Sequence, residues 1–179
     1  MDNFSLILAP TIRSKCYLFY LKKNGLIPKK IFFLNSKLQR CKVKKHDLIA
    51  FDPQASFKNL FVGLKSEVFI LKGNINSNFN WKIIKKQRIK YFIYSGLPGV
   101  ILSKKFFGID KTFIHVHGGS LPEYKGSTTF YYSILKREDF NVTSLILNPN
   151  IDSGTILLRK KFNLPKNIDI DYIYDPFTR

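Results

Sequence analysis

The order of elements at the N-terminus constrains the fold more than any other feature of the chain. Residues 4–9, Phe-Ser-Leu-Ile-Leu-Ala, form a short apolar run closed by Pro10, the pattern of a buried strand. Thr11 stands in an N-cap position, and Tyr17, Leu18 and Leu21 recur at helical spacing until Asn24-Gly25 supplies a stop. A second apolar run follows at residues 31–34. A helix between two buried strands is the connection that parallel pairing requires, and such a crossover is right-handed. The expectation is therefore an α/β chain, a Rossmann-like three-layer fold with a mostly parallel central sheet.

The pattern continues with less regularity. Residues 67–71 predict a third strand, and residues 79–90 a helix with Trp81, Ile84 and Ile83 inward and its lysines outward. Residues 91–94 predict another strand, followed by a sharp loop, Ser95-Gly96-Leu97-Pro98-Gly99. Residues 35–66 carry little pattern: the lysines from Lys37 to Lys45 read as a solvated loop or helix face, and His46 beside Asp47 as structural. With 179 residues, 45% hydrophobic and 15% aromatic, the chain is long enough for one cored domain, residues 1–179, and too apolar to be disordered. Residues 169–179 read as the opening of a helix with no stop signal, so a chain continuing past Arg179 is expected.

A net charge of +18 raises nucleic acid and membrane surfaces as partners. The charge is mostly lysine, mixed with many Asn and Ile, a composition that biased codon usage also produces. On either origin the field attracts anionic ligands. Cys16 and Cys41 lie far apart without metal or redox spacing. No basic leader precedes the first apolar run, and no stretch reaches the length of a spanning helix. A cytoplasmic protein without a membrane partner is the expectation; oligomeric state is not legible.

The residues that carry chemistry cluster between Thr112 and Gly154. A period of two places Phe113, His115 and His117 on one face of a strand. Gly118, Gly119 and Pro122 then break regular structure, as at the carboxyl end of a buried strand where open α/β sheets bind ligands. After a helix capped by Ser127 or Thr128, with Phe130, Tyr131, Ile134 and Leu135 inward, residues 142–147 predict a strand beside residues 113–117. Tyr131 and Tyr132 read as packing. If both strands end on the same edge, Asp152 reaches His117 and orients its imidazole for general acid/base work. Three readings stay open on the residues alone: an acid/base pair, a metal-dependent hydrolase using His-x-His plus Asp, and a histidine pair merely satisfied by backbone. Residues 155–162 predict a strand leaving the site, with Arg159, Lys160 and Lys161 in solvent.

The run His115-Val-His117-Gly-Gly-Ser-Leu-Pro122-Glu-Tyr-Lys-Gly126, followed by Ile151-Asp152-Ser-Gly154, resembles the formyltransferase family that uses 10-formyltetrahydrofolate. That family reads Asn-x-His, a loop ending Leu-Pro-x-Tyr-Arg-Gly, and an Asp-x-Gly turn. The resemblance covers roughly residues 91–163. It implies the formyltransferase fold, with His117 and Asp152 as catalytic residues and His115 where the family has the Asn that donates to the formyl oxygen. A His donates as well when the correct nitrogen bears a proton. Gly118 replaces a Pro and Lys125 an Arg. The loop containing Leu97, Pro98 and Gly99 is implied to lend backbone groups to the pterin ring, with Val100, Ile101 and Leu102 as one wall. The implied reaction is formyl transfer from 10-formyltetrahydrofolate to a small-molecule primary amine. The amine expected is that of an amino sugar, nucleotide-linked, ahead of a nucleic acid. The loop Ala9-Pro10-Thr11 lacks the glycines of the glycinamide-ribonucleotide branch, which demotes that substrate. A nucleic-acid-binding protein on the same scaffold, with catalysis lost at His115, is the alternative outside enzymology.

Overall fold

The computed structural model describes residues 3–36, 50–126, 129–136 and 140–163, with the backbone alone for Phe130 and Ile134. The expectations for Lys37 to Lys45, Cys41, His46, the Ser127 or Thr128 cap and residues 169–179 lie outside the described residues. The chain falls into two compact units that divide between Lys111 and Thr112.

The first unit is a parallel α/β sheet. Strand β1 (Phe4–Leu8) leads into helix α1 (Ile12–Lys23) and strand β2 (Lys30–Asn35). Helix α2 (Phe57–Phe61), strand β3 (Glu67–Lys72), helix α3 (Asn78–Lys85) and strand β4 (Tyr91–Ser95) complete it. Its strand order is β3-β2-β1-β4, every pair parallel. The opening forms as its signals require. The Thr11 side chain accepts from Ser14 N–H, and the helix ends at Asn24 with Gly25 at φ +69°, a left-handed conformation glycine adopts freely. Leu6, Leu8, Leu18 and Ile31 pack as one buried cluster, and Phe33, Phe57 and Phe61 close over it. Each such side chain contributes about 1.5–3 kcal/mol on leaving water.

Two details differ from the sequence expectations here. Helix α2 was not legible; its signal is the Ser56 cap, whose side chain accepts from Asn59 N–H. Helix α3 stops at Lys85 rather than running to residue 90. Its Ile84 is fully buried, while Trp81 is half-buried and donates from Nε1 to the Lys105 carbonyl at 2.9 Å. Buried Asn80, one residue earlier, donates to the carbonyls of Lys72 and Asn74 and ties the helix start to the end of β3.

The second unit contains strand β5 (Thr112–His117), helix α4 (Thr129–Leu135), strand β6 (Phe140–Ile146) and strand β7 (Thr155–Phe162). Here the expectation of adjacent strands ending on one edge is corrected. β6 pairs antiparallel with β5, His117 opposite Thr143 and Ile114 opposite Ile146, and β7 pairs antiparallel with β6. The chain re-enters beside β5 in the opposite direction, which satisfies the same backbone groups as a parallel return would.

On α4, Tyr131 is half exposed and Leu135 is 77% exposed, against expectation, while Thr129 and Ser133 are buried. The Thr129 hydroxyl donates to the Gly118 carbonyl, which gives a polar side chain a buried partner. Along β7, Arg159, Lys160 and Lys161 are exposed, as expected.

Candidate active site

His117 ends β5 and is 5% exposed. Its Nε2 lies 2.7 Å from the carbonyl oxygen of Tyr124; a carbonyl only accepts, so Nε2 is the donor. Its Nδ1 faces Oδ2 of Asp152 at 3.6 Å, an ion-pair contact longer than a hydrogen bond. The carboxylate is fixed independently, because the same Oδ2 accepts the Gly126 N–H at 2.8 Å. The pair expected from strands ending on one edge, and implied by the family resemblance, is brought together by a different route. The eight-residue connection 147–154 between β6 and β7 carries Asp152 back toward the end of β5.

That connection is braced by its own side chains. Asn148 accepts from Asn150 N–H and the Ser153 hydroxyl and donates to the Ser153 carbonyl. Gly154 packs so closely on the Ile146 carbonyl that any side chain there would overlap it. Asp152 itself sits at φ +45°, in the left-handed region that Asp and Asn enter more readily than other L residues.

The loop 118–126 contains a cis Leu121-Pro122 bond and is pinned from below. Thr143, fully buried on β6, donates to the Gly119 carbonyl at 2.7 Å and accepts the Leu121 N–H at 3.3 Å. The Tyr124 ring stacks on Tyr132 at 6.1 Å between centroids, with Lys136 Nζ 5.0 Å above it, so the packing expected of Tyr132 is present. Sequence reasoning missed Tyr124, Gly126 and Thr143. The first two act through backbone atoms, which leave no side-chain signature. Thr143 left little signal either, since it stands between Asn141 and Ser144 in a strand of mixed polarity.

His115 is half-buried, opposite Leu145 in the ladder, and strand alternation places it on the same face as His117. Among the described residues no group of three or more His, Cys, Asp or Glu is placed to hold a metal ion, and no helix is long and apolar enough to cross a membrane.

The loop singled out as a ring-binding element lies in the first unit. Tyr94, 5% exposed, folds its hydroxyl against Gly96 so closely that a side chain there would overlap it, and the hydroxyl donates to the Val100 carbonyl at 3.4 Å. Burial pushes the Tyr94 phenol up to about 12, partly opposed by Arg13, whose Nη2 donates to the Gly96 carbonyl at 2.7 Å. Asn76 grips the far side, donating to the Ile101 carbonyl at 2.8 Å and accepting the Ser103 N–H at 2.9 Å. Gly99 has φ +72° and open space around its Cα, and Ile101 is 49% exposed. Those features fit a flat apolar ring with polar edges. Leu102 is 3% exposed and belongs to the core, so it offers a ring no accessible wall.

No family model matches the chain. Over 80 residues it is 31% identical to the methionyl-tRNA formyltransferase of Orientia tsutsugamushi, a stretch that is 44% of this chain and 25% of that protein. The structure of phosphoribosylglycinamide formyltransferase from Streptococcus pneumoniae aligns with a TM-score of 0.65 at 11% identity, covering 96% of this chain and 87% of that one. These matches support a formyltransferase-family domain. A sugar N-formyltransferase from Shewanella sp. shares the fold at a TM-score of 0.57 and 16% identity, covering 92% of this chain and 58% of that chain. The matched stretch spans about a quarter of the length of the curated relatives. The α/β formyltransferase fold expected from the sequence is the fold observed.

Proposed function

We propose that this formyltransferase-family domain moves a formyl group from 10-formyltetrahydrofolate to a primary amine. The observation that carries the reading is the buried His117 and Asp152 pair, with Asp152 fixed by Gly126 N–H and His117 holding a proton at Nε2. When bound, the folate supplies an electrophilic formyl carbon and a nitrogen leaving group. Leu97, Pro98, Gly99, Val100 and Ile101 would hold its ring system. His117 would either turn its Nε2 proton to the formyl oxygen, worth about 3–4 kcal/mol for one well-placed donor in a dry site, or give that proton to the departing nitrogen and take in exchange the one the attacking amine releases. In both cases the Tyr124 carbonyl would give up the bond it accepts in the free chain. His115 is proposed as the second donor in place of the family's amide, and Asp152 would hold the ring in register.

The acceptor proposed is an amino sugar, nucleotide-linked, since the loop after β1 carries no glycines to cradle a ribonucleotide phosphate. A specific observation favours a second reading, methionyl-tRNA: the curated relatives are methionyl-tRNA formyltransferases, and a net charge of +18 suits a polyanion. Incubation with 10-formyltetrahydrofolate and either a panel of amino sugars or charged methionyl-tRNA, read by mass spectrometry, separates them. A gain of about 28 Da on one class, from CHO replacing an amine H, identifies the acceptor, and it should vanish on His117→Ala. No gain on any amine with folate present would defeat the reading.

A further inference from the structure

We infer that Thr143 is a positioning residue for the reaction, acting through the loop 118–126 on His117 and Asp152; the inference rests on the formyl-transfer reading above. A buried threonine on a strand ordinarily satisfies its hydroxyl on the nearest carbonyl and does nothing more. Thr143 differs in where both of its hydrogen bonds go. Directly opposite His117 in the ladder, it bonds to two groups of the loop that follows that histidine, donating to Gly119 and accepting from Leu121. These fix residues 119–121 against the sheet from a point with no exposure to water.

The segment so fixed stands next to the reacting groups. A Cβ on Gly119 would lie 3.0 Å from His117 Nε2, so a small displacement of this backbone is felt at that nitrogen. The loop then delivers the Tyr124 carbonyl to Nε2 and the Gly126 N–H to Asp152 Oδ2. One hydroxyl therefore sets the height at which a single loop meets both members of the pair. Losing it leaves a buried carbonyl and a buried N–H seeking new partners, and the loop is the part free to shift.

The test compares Thr143→Val, which keeps the shape and deletes the hydroxyl, with Thr143→Ser, which keeps the hydroxyl and deletes a methyl. Thr143→Val is expected to lower kcat about 10- to 100-fold, with folate and amine KM changed less than about threefold. Thr143→Ser is expected to stay within about threefold of the parent kcat despite its own loss in melting temperature. A readout independent of turnover is the ¹⁵N spectrum of the imidazoles, with His117 assigned from His117→Asn. The Nε2 signal should move in the valine protein and stay in the serine protein. Parent-like turnover by the valine protein, or equal losses in both variants, would overturn the inference. So would failure of the valine protein to fold while the serine protein folds, which would assign Thr143 to stability alone. If the parent chain transfers no formyl group, the functional reading fails, and an Nε2 signal unmoved in the valine protein would then sink the positioning role as well.

Discussion

His117 Nδ1 lies 3.6 Å from Asp152 Oδ2, and that same oxygen takes the Gly126 N–H at 2.8 Å. The carboxylate is therefore held by backbone before it meets the imidazole, and the ring is fixed chiefly by the shorter bond from Nε2 to Tyr124. Asp152 sets the ring's electrostatic surroundings without having to grip it. This division of labour makes the two residues separable by substitution.

The first expectation concerns Asp152. Its φ of +45° suits Asn almost as well as Asp, so Asp152→Asn removes the charge while leaving the turn intact. It should lower kcat about 10²- to 10⁴-fold, the usual range for a general acid/base element, with little change in melting temperature. Asp152→Ala should lose the same activity and about 1 kcal/mol more stability, because alanine enters the left-handed region at a cost. Steady-state kinetics and thermal melts of both proteins check this; full activity in the Asn variant would remove Asp152 from the mechanism.

Gly119 supplies the second. An added Cβ would stand 2.8 Å from the Thr129 Cβ and 3.0 Å from His117 Nε2, closer than packed atoms normally come. Neither neighbour yields easily, since Thr129 is buried and bonded to the Gly118 carbonyl and His117 is held by Tyr124. Gly119→Ala should therefore cost about 1–3 kcal/mol of stability by overpacking and depress kcat at least tenfold. Gly73→Ala is the control: nothing lies within 4 Å of an added Cβ there, so its penalty comes from φ +62° alone. Equal kinetic losses from the two changes would contradict this account of Gly119.

The sequence made His117 and Asp152 legible because their chemistry resides in side chains with a spacing that survives in one dimension. It made the parallel first unit legible because buried strands and a capped helix each leave a local signature, as Thr11 and Gly25 show. The direction of β6 was not legible, since parallel and antiparallel neighbours satisfy the same backbone groups and residues 140–146 carry no local mark of direction. The burial of Thr129 and Ser133 was hidden too, because both look like surface residues until the Gly118 carbonyl gives the first of them a buried partner.

Alkaline stability gives a third expectation. Burial pushes the Cys16 thiol up to about 11 from 9.0 and the Tyr94 phenol up to about 12 from 10.0. At pH values between the unfolded and folded figures the folded chain keeps protons that the unfolded chain has released, so stability falls as pH rises. The contribution is complete below pH 9 and is lost toward pH 11 for Cys16 and pH 12 for Tyr94, on the order of 2 kcal/mol each. Burial lowers the Lys15 ammonium and acts with the opposite sign, so the informative quantity is a difference between proteins. Cys16→Ser and Tyr94→Phe should each flatten the decline in melting temperature between pH 9 and 11. Superimposable pH profiles for parent and variants would refute the assignment.

The last expectation tests the ring-binding loop apart from the His117 and Asp152 pair. Asn76 is the loop's outer clamp, holding the Ile101 carbonyl and the Ser103 N–H with its two amide atoms. Asp keeps the acceptor and loses the donor; Ala loses both. If residues 97–102 hold the folate, Asn76→Ala should raise the folate KM about tenfold or more, because two bonds of about 1 kcal/mol each no longer order the loop before the ligand arrives. Asn76→Asp should fall between alanine and the parent. In both, kcat at saturating folate should stay within about threefold, since once bound the ligand itself orders the loop. The amine KM should not move. A loss confined to kcat would mean that Asn76 serves something other than folate binding, and an unchanged folate KM in the alanine variant would take residues 97–102 out of the folate site.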